Sequence, residues 1–361
     1  MQERLIPRMI HWFETHRKIS ILLVFVSLTL VLYPRFNRQD IGIIKSFAGL
    51  KPGVFPPDTY QYMNFVEYFR HTMPIDSIGP PFSFRPAAPY LASLLPYDSL
   101  TGIDIVNVIS LFLAVICIFY ILKKYSFSFG FCIAGCLLFI FSFPVFYYGA
   151  VGYIDSPAIF MVCLILAATV YKKYYLLPLL LLIAPFTKEG TMVVFPFIIL
   201  YALQVSDPKR EKIINCGLIL LSIGAFLLGY MYCRSEFSHV SNYLWKPNFT
   251  TIGENMVRPK SYLSFIMTFG VVGILALLQF VNDGKKNFFS EKKNIIVFFK
   301  NYPYLPLVAG IVISFMLWIY TFVAAYVDGR YFWFAYPFMI PMAVAFIRER
   351  YHLKGTTIVH P

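Results

Sequence analysis

Six charged residues of the sequence stand at the ends of apolar stretches or in the loops beside them, where a charged side chain is costly unless it has a function or a partner. A carboxylate can remove the proton of a hydroxyl group, and lysine or arginine can stabilise a departing phosphate. Together these side chains predict the transfer of a group from a membrane-anchored phosphate. They are Asp58, Arg85, Asp155, Lys188, Glu189 and Arg330.

Each residue of this set also has an ordinary structural explanation. The two aspartates can cap the helices that follow them. Arg85 lies between prolines and can join two loops through a salt bridge, and the adjacent Lys188 and Glu189 can neutralise each other. Arg330 can extend its head group to water. What favours a joint function is that all six are expected on one side of a membrane and at one depth.

The first aspartate precedes an amphipathic stretch. Asp58 follows two prolines, and the apolar positions after it recur with helical spacing. This pattern predicts an interfacial helix over about residues 58–71, which begins at Asp58 and holds it at the boundary of water and lipid. The apolar positions are Tyr62, Phe65, Val66 and Phe69.

The composition indicates that the elements carrying these residues lie in lipid. Of 361 residues, 58% are hydrophobic, 19% aromatic and 14% charged. The mean hydropathy is +0.66. These values exclude a water-soluble enzyme, a disordered chain and a small disulfide-stapled module.

Apolar runs that contain no lysine or arginine predict ten membrane spans. The fifth and sixth are short for a hydrocarbon layer of about 30 Å and are expected to be either two spans or a re-entrant pair. The predicted spans are roughly 19–34, 103–122, 126–150, 154–171, 174–187, 190–205, 213–232, 261–281, 302–327 and 331–347.

The basic residues fall unequally on the two sides that these spans define. The side of the N-terminus carries 19 of the 31 lysines and arginines, although it has fewer residues than the other side. Both termini are therefore predicted in the cytoplasm. The formal charge of +13 follows from topology, so nucleic acid is not an expected partner. A single helix through 174–205 would reverse every later loop against this bias.

The predicted fold is therefore an all-α polytopic membrane protein whose residues 1–361 form one transmembrane domain. A long first outer loop, 35–102, contains the interfacial helix, and a second outer loop, 233–260, is expected to cover the charged residues as a lid. The expected location is a bacterial cytoplasmic (inner) membrane, with membrane lipids as partners. The sequence contains no P-loop, GxGxxG, GxSxG or HExxH motif.

Five segments of the sequence resemble the GT-C superfamily of integral membrane glycosyltransferases. The similarity covers roughly residues 19–205 and, more weakly, the region near Arg330. It implies a hexosyl or pentosyl transferase that takes a sugar from a polyprenyl phosphate and gives it to a glycan, lipid or protein acceptor, with inversion at the anomeric carbon. The segments are PPDTYQYMNFVEYF, FSFRPAAPYLASLLP, GYIDSPAIFMVCLIL, PFTKEGTMVVFPF and DGRYFWFAYP.

The resemblance also implies roles for the charged residues. Asp58 matches the catalytic base of the first outer loop, and Asp155 matches the second acid. The cations Lys188 and Arg330 would face the lipid phosphate. Arg85 and Glu189 would orient the sugar or support the other four.

The cofactor is left open by the sequence. Many members of the superfamily place two acids together in the first outer loop, whereas here Thr59 and Tyr60 follow Asp58. A divalent metal is therefore doubtful, although Asp58 and Asp155 are the pair that would share one.

Two alternative functions remain. A polysaccharide polymerase or an enzyme like the O-antigen ligases would also carry arginine and histidine in outer loops, here His71 and His239. A lipid or solute transporter would carry charges at the middle of the bilayer and internal repeats, neither of which the sequence indicates.

Overall fold

The computed structural model describes residues 5–36, 57–150, 152–204, 208–237, 249–291, 302–324 and 327–351. All regular structure within these residues is helical. The predicted outer loops 35–102 and 233–260 are described in part, because residues 37–56 and 238–248, the latter including His239, lie outside these ranges.

The α-helices are numbered in chain order. They are α1 (Leu5–Thr15), α2 (Arg17–Phe36), α3 (Pro57–Phe69), α4 (Ala87–Ser93), α5 (Ser99–Lys124), α6 (Phe129–Ile140), α7 (Phe143–Tyr148), α8 (Asp155–Val170), α9 (Leu177–Thr187), α10 (Val194–Gln204), α11 (Lys209–Glu236), α12 (Phe249–Met256), α13 (Pro259–Glu291), α14 (Leu305–Ala324) and α15 (Tyr336–Arg350). Short 3-10 helices are formed by Ile75–Ser77, Phe82–Phe84, Tyr174–Leu176, Glu189–Val193 and Gly329–Ala335.

Six helical stretches of the described chain are long and apolar enough to cross a membrane. They agree with six of the ten predicted spans, and they are the architecture of a multi-pass membrane protein. The six are Arg17–Phe36, Ser99–Lys124, Arg210–Glu236, Pro259–Lys285, Leu305–Ala324 and Gly329–Arg350.

Shorter apolar helices occupy the positions of the other four predicted spans. They are Phe129–Ile140, Asp155–Val170, Tyr174–Thr187 and Glu189–Gln204. The predicted span 126–150 is interrupted, because α6 ends at Ile140 and a new helix begins at Phe143 with a proline in its first turn. Proline has no backbone N–H to continue a helix but is well accommodated at a helix start. The number of complete crossings therefore stays a prediction.

Residues 174–205 do not form a single helix. Helix α9 ends at Thr187, and the next residue, Lys188, has an extended backbone with φ −172° and ψ 137°. A 3-10 turn then leads into α10. With 11 residues, α9 is roughly 16 Å long at the usual helical rise.

The path of α9 and α10 is defined by their contacts with α8. Lys188 forms an ion pair with Asp155, the first residue of α8. The hydroxyl group of Tyr201 donates to the carbonyl oxygen of Val170, the last residue of α8, at 3.1 Å. The chain therefore travels along α8 and returns, which is the path expected of two short spans or a re-entrant pair and not of one continuous helix.

Helix α8 lies at the centre of the molecule. Thirteen of its 16 residues are buried, although Phe160, Leu164 and Ala167 along one face are half-buried. The long helix α11 differs, since Leu220 and Leu228 are 69% and 67% exposed. A helix that is apolar all round belongs in a core, whereas exposed leucines on a long apolar helix face lipid.

The amphipathic helix of the first outer loop is present as α3, although its environment differs from the expectation. Its apolar residues Tyr62, Phe65 and Val66 are buried against other parts of the protein, including Ile78 and Phe82. The helix begins at Pro57, so Asp58 lies within the first turn and not at the cap. The predicted position of this helix in a membrane surface stays a prediction.

The close packing of α9 against α11 supplies a test of the fold. A Cβ atom added to Gly229 would lie well inside van der Waals contact with the Leu182 carbonyl oxygen, whereas one added to Gly224 meets no atom within 4 Å. We expect Gly229→Ala to destabilise the protein by about 1–3 kcal/mol because backbone must shift to admit the methyl group.

The matched control is Gly224→Ala on the same helix, which we expect to be neutral or slightly stabilising. Thermal unfolding in detergent checks both variants. Equal unfolding temperatures for the two would contradict the observed approach of α9 to α11.

Candidate functional site

The six charged residues singled out in the sequence meet at one end of the helical bundle, and they meet as three ion pairs. We call this region the ion-pair end. Its members come from α3, the loop before α4, the start of α8, the break after α9 and the turn before α15. The pairs are Asp58 with Arg330, Asp155 with Lys188, and Arg85 with Glu189.

The pair of Asp58 and Arg330 joins two segments that are far apart in the sequence. A guanidinium nitrogen of Arg330 lies 2.6 Å from a carboxylate oxygen of Asp58. The Arg330 side chain is 14% exposed, and the Asp58 side chain is 18% exposed. The Arg330 guanidinium also lies over the rings of Tyr153 and Tyr331, at 4.9 and 5.4 Å from the ring centroids. Aromatic faces stabilise a cation without neutralising it.

The backbone of Arg330 is held in place by the turn that contains it. The Asp328 carboxylate accepts hydrogen bonds from the Arg330 N–H, at 3.1 Å, and from the Tyr148 hydroxyl group. The Gly329 N–H donates to the Ser264 hydroxyl oxygen at 2.9 Å. Because these contacts fix the main chain, movement of this arginine is confined to its side chain.

Helix α3, which carries Asp58, is fastened at its other end. Arg70 donates to the carbonyl oxygens of Leu95 and Tyr97 at 3.0 and 2.7 Å. Glu67 accepts a hydrogen bond from the Ser99 hydroxyl group, and this bond holds the pKa of Glu67 below its ordinary value. These anchors leave little freedom for the helix that carries Asp58.

The pair of Asp155 and Lys188 is the most deeply buried of the three. Their side chains are 2% and 3% exposed. The Lys188 ammonium group lies 4.9 Å from the centroid of the Tyr331 ring and 5.7 Å from that of Phe334. Moving two charges out of water costs several kcal/mol for each ion, so these charges depend on each other.

The third pair, of Arg85 and Glu189, has the geometry of a fork. The Nε and Nη2 atoms of Arg85 donate to the two carboxylate oxygens of Glu189, the first at 2.9 Å, and Nη1 donates to the Tyr62 hydroxyl oxygen at 2.9 Å. Burial acts to lower the pKa of Arg85, but the Glu189 carboxylate overrides burial and holds that pKa well above its ordinary value. Burial also raises the pKa of Tyr62.

The three pairs form one electrostatic unit. Asp155 interacts with Arg330 and Arg85 in addition to Lys188. Lys188 in turn interacts electrostatically with both Arg85 and Arg330. Because three cations face three carboxylates, the formal charge of the unit is zero, and a change to one member alters the electrostatic balance of the others.

The partners within this unit differ from those that adjacency in the sequence suggested. Lys188 and Glu189 do not neutralise each other. The extended backbone at Lys188 directs consecutive side chains to opposite sides, so Lys188 reaches Asp155 while Glu189 reaches Arg85.

Several residues of the ion-pair end were not singled out in the sequence. The Tyr62 hydroxyl oxygen accepts a hydrogen bond from Arg85, the rings of Tyr153 and Tyr331 lie against Arg330 and Lys188, and Asp328 shapes the turn that carries Arg330. Arg234 lies nearby, over the rings of Phe84 and Tyr230 at 5.3 and 4.6 Å. With 26 tyrosines in the chain, residue type carries no signal, and only the position of Tyr331 directly after Arg330 pointed to the site.

The two aspartates do not suit a shared divalent metal. Each carboxylate already has a cationic partner, Arg330 for Asp58 and Lys188 for Asp155. In the part of the chain that the structure describes, no third histidine, cysteine or acid joins them in a cluster with metal-binding potential. As paired in this structure, the two carboxylates do not form the common set of oxygen ligands that a divalent cation takes.

Comparison of the sequence with protein-family models found no match, and neither did comparison with curated proteins.

The buried pair generates a prediction about stability. We expect Lys188→Met to destabilise the protein by about 3–5 kcal/mol, because it leaves the Asp155 carboxylate buried without its main partner. The double variant Lys188→Met with Asp155→Asn removes both charges and should recover part of this loss.

The measurement is thermal unfolding of the purified variants in one detergent. A double variant as unstable as the sum of the two single variants would show that Lys188 and Asp155 do not depend on each other.

Proposed function

We propose that the protein is a membrane glycosyltransferase of the GT-C type, which moves a sugar from a polyprenyl phosphate to an acceptor hydroxyl group with inversion. The observation that carries this proposal is the convergence of three carboxylates and three cations at one end of an apolar helical bundle. A base and a set of phosphate-binding cations are what this reaction requires.

Asp58 is proposed as the general base. Its side chain is 18% exposed, so an acceptor can approach it from the exterior, and α3 is anchored at its far end through Arg70. Asp155, being fully enclosed and paired with Lys188, suits a supporting role. We assign Asp155 the function of keeping Lys188 charged and in place.

Arg330 is proposed as the main ligand of the donor phosphate. The enclosed Lys188 would add its positive charge to the electrostatic attraction of that phosphate. A guanidinium group matches the geometry of a phosphate through two parallel hydrogen bonds. Arg85 and Glu189 would bind the sugar, since the 39% exposed Glu189 carboxylate remains accessible while Arg85 holds it.

The proposed step balances without a cofactor. The acceptor oxygen forms a bond to the anomeric carbon, the bond from that carbon to the phosphate oxygen breaks, and the polyprenyl phosphate leaves with the electron pair. The acceptor proton passes to Asp58. A single displacement inverts the anomeric carbon, and the cations stabilise the charge that develops on the phosphate.

A lipid-linked donor agrees with the surroundings of the site. Long apolar helices with lipid-facing side chains, such as α11 with Leu220 and Leu228, flank the bundle. A polyprenyl chain can lie along such surfaces while its phosphate reaches the ion-pair end. We place this end on the outer side of a bacterial cytoplasmic membrane, following the distribution of basic residues.

Two measurements test the activity itself. Cells that lack the protein should accumulate a lipid-linked sugar, and the purified protein should release polyprenyl phosphate from that donor when an acceptor extract is present. Movement of the lipid or sugar across a vesicle membrane without any transfer would support a transporter instead.

The site assignment predicts that Asp58→Asn lowers transfer by about 100-fold or more, because loss of a general base usually costs that much. Asp76→Asn is the matched control, since Asp76 is an exposed acid of the same outer segment. Release of polyprenyl phosphate is measured for both variants at equal protein concentration. Full activity of Asp58→Asn would remove Asp58 from the reaction.

A further inference from the structure

The three ion pairs differ in how tightly their cations are held. Lys188 is enclosed with Asp155, and Arg85 uses its Nε and both terminal nitrogens on Glu189 and Tyr62. Arg330 is less engaged. Its Nη2 atom meets Asp58, but its buried Nε atom has no hydrogen-bond partner in the described part of the chain.

We propose that Arg330 blocks Asp58 until the phosphate group of the donor binds, and that the phosphate then draws the guanidinium group away from the carboxylate. Donor binding would thereby uncover the base, so the donor binds before the acceptor can react. This inference rests on the proposed function and concerns the regulation of the same site.

The geometry at Asp58 supports such a step. A general base must come within about 2.6–3.2 Å of the hydroxyl group whose proton it takes. The Arg330 nitrogen occupies that distance from the Oδ2 atom of Asp58, at 2.6 Å. An acceptor hydroxyl group that approaches the Oδ2 atom therefore competes with Arg330 for it.

The chemistry of Arg330 makes the exchange feasible. The phosphate of the donor is a diester with one negative charge, as a carboxylate has, and its two non-bridging oxygens can accept two parallel hydrogen bonds from one guanidinium group, including one from the unpartnered Nε atom. The turn fixes the main chain of Arg330 through Asp328 and Ser264. The exchange thus needs only rotation of a side chain whose faces lie against Tyr153 and Tyr331.

The charge neutrality of the three ion pairs explains why a bound phosphate competes with Asp58 for Arg330. An incoming phosphate adds negative charge to a unit in which three cations balance three carboxylates. Lys188 and Arg85 are closely tied to their own carboxylates, so among the three paired cations Arg330 is the one that can turn toward the phosphate. Asp58 and the phosphate then compete for the same guanidinium group.

Competition predicts that removal of the carboxylate strengthens phosphate binding. We expect Asp58→Asn to bind undecaprenyl phosphate, offered without sugar in detergent micelles, about tenfold more tightly than the unaltered protein. Arg330→Ala should bind it at least tenfold more weakly. On the Arg330→Ala background, the gain from Asp58→Asn should disappear, because no guanidinium remains to be released.

The control Asp76→Asn removes an exposed acid of the outer segment and should leave binding unchanged. Inorganic phosphate forms a second arm of the titration. If the site recognises the phosphate group alone, Asp58→Asn tightens the binding of both ligands. If the lipid is also required, only the binding of undecaprenyl phosphate tightens.

A second measurement needs no altered residue at the site and therefore does not depend on the folding of a variant. Labelling of carboxylates with an excess of a water-soluble carbodiimide, read by mass spectrometry, should rise at Asp58 when undecaprenyl phosphate is added. Labelling of Asp76 should not change.

The outcomes separate this inference from the proposed function. Equal or weaker phosphate binding by Asp58→Asn, or a gain that persists on the Arg330→Ala background, overturns the blocking role of Arg330 while transfer activity still stands. Absence of binding to the unaltered protein, together with absence of transfer, overturns both proposals.

Discussion

Pairing of buried charge is the constraint on which the ion-pair end depends. Three carboxylates and three cations stand where apolar helices end, and an unpaired ion there would cost several kcal/mol. The partners come from distant parts of the chain, so the pairs also fix how the segments meet. The break after α9 and the turn before α15 both lie where a cation must reach its carboxylate.

The sequence predicted that the six charged residues meet but not which of them pair. The distribution of lysine and arginine assigned Asp58 and Arg330 to one side, and the structure brings them within 2.6 Å. Pairing depends on backbone direction, as at Lys188, whose extended conformation separates it from Glu189. No periodicity in the sequence records that conformation.

Hydropathy predicted the positions of the apolar helices in the sequence, but it does not distinguish a short membrane span from a buried core helix. Long helices such as α5 match their predicted spans, whereas α8 is an apolar helix of 16 residues of which 13 are buried within the protein. A short apolar run suits a buried core helix as well as a short span. The same ambiguity applies to α3, whose amphipathic pattern indicated a lipid surface although its apolar face is covered by protein.

The differing burial of the three pairs separates structural from chemical roles under the proposed function. Lys188 and Asp155, at 3% and 2% exposure, can exchange partners only if the surrounding rings move. Asp58 and Arg330 keep some contact with the exterior, at 18% and 14%. A site that admits a phosphate needs one cation that can exchange its carboxylate partner for the phosphate. It also needs other cations that stay paired, so that the charge remains balanced during the exchange. The difference in burial between two of the pairs meets both needs. The enclosed pair of Asp155 and Lys188 anchors α8 and α9, while the less buried pair of Asp58 and Arg330 remains able to exchange.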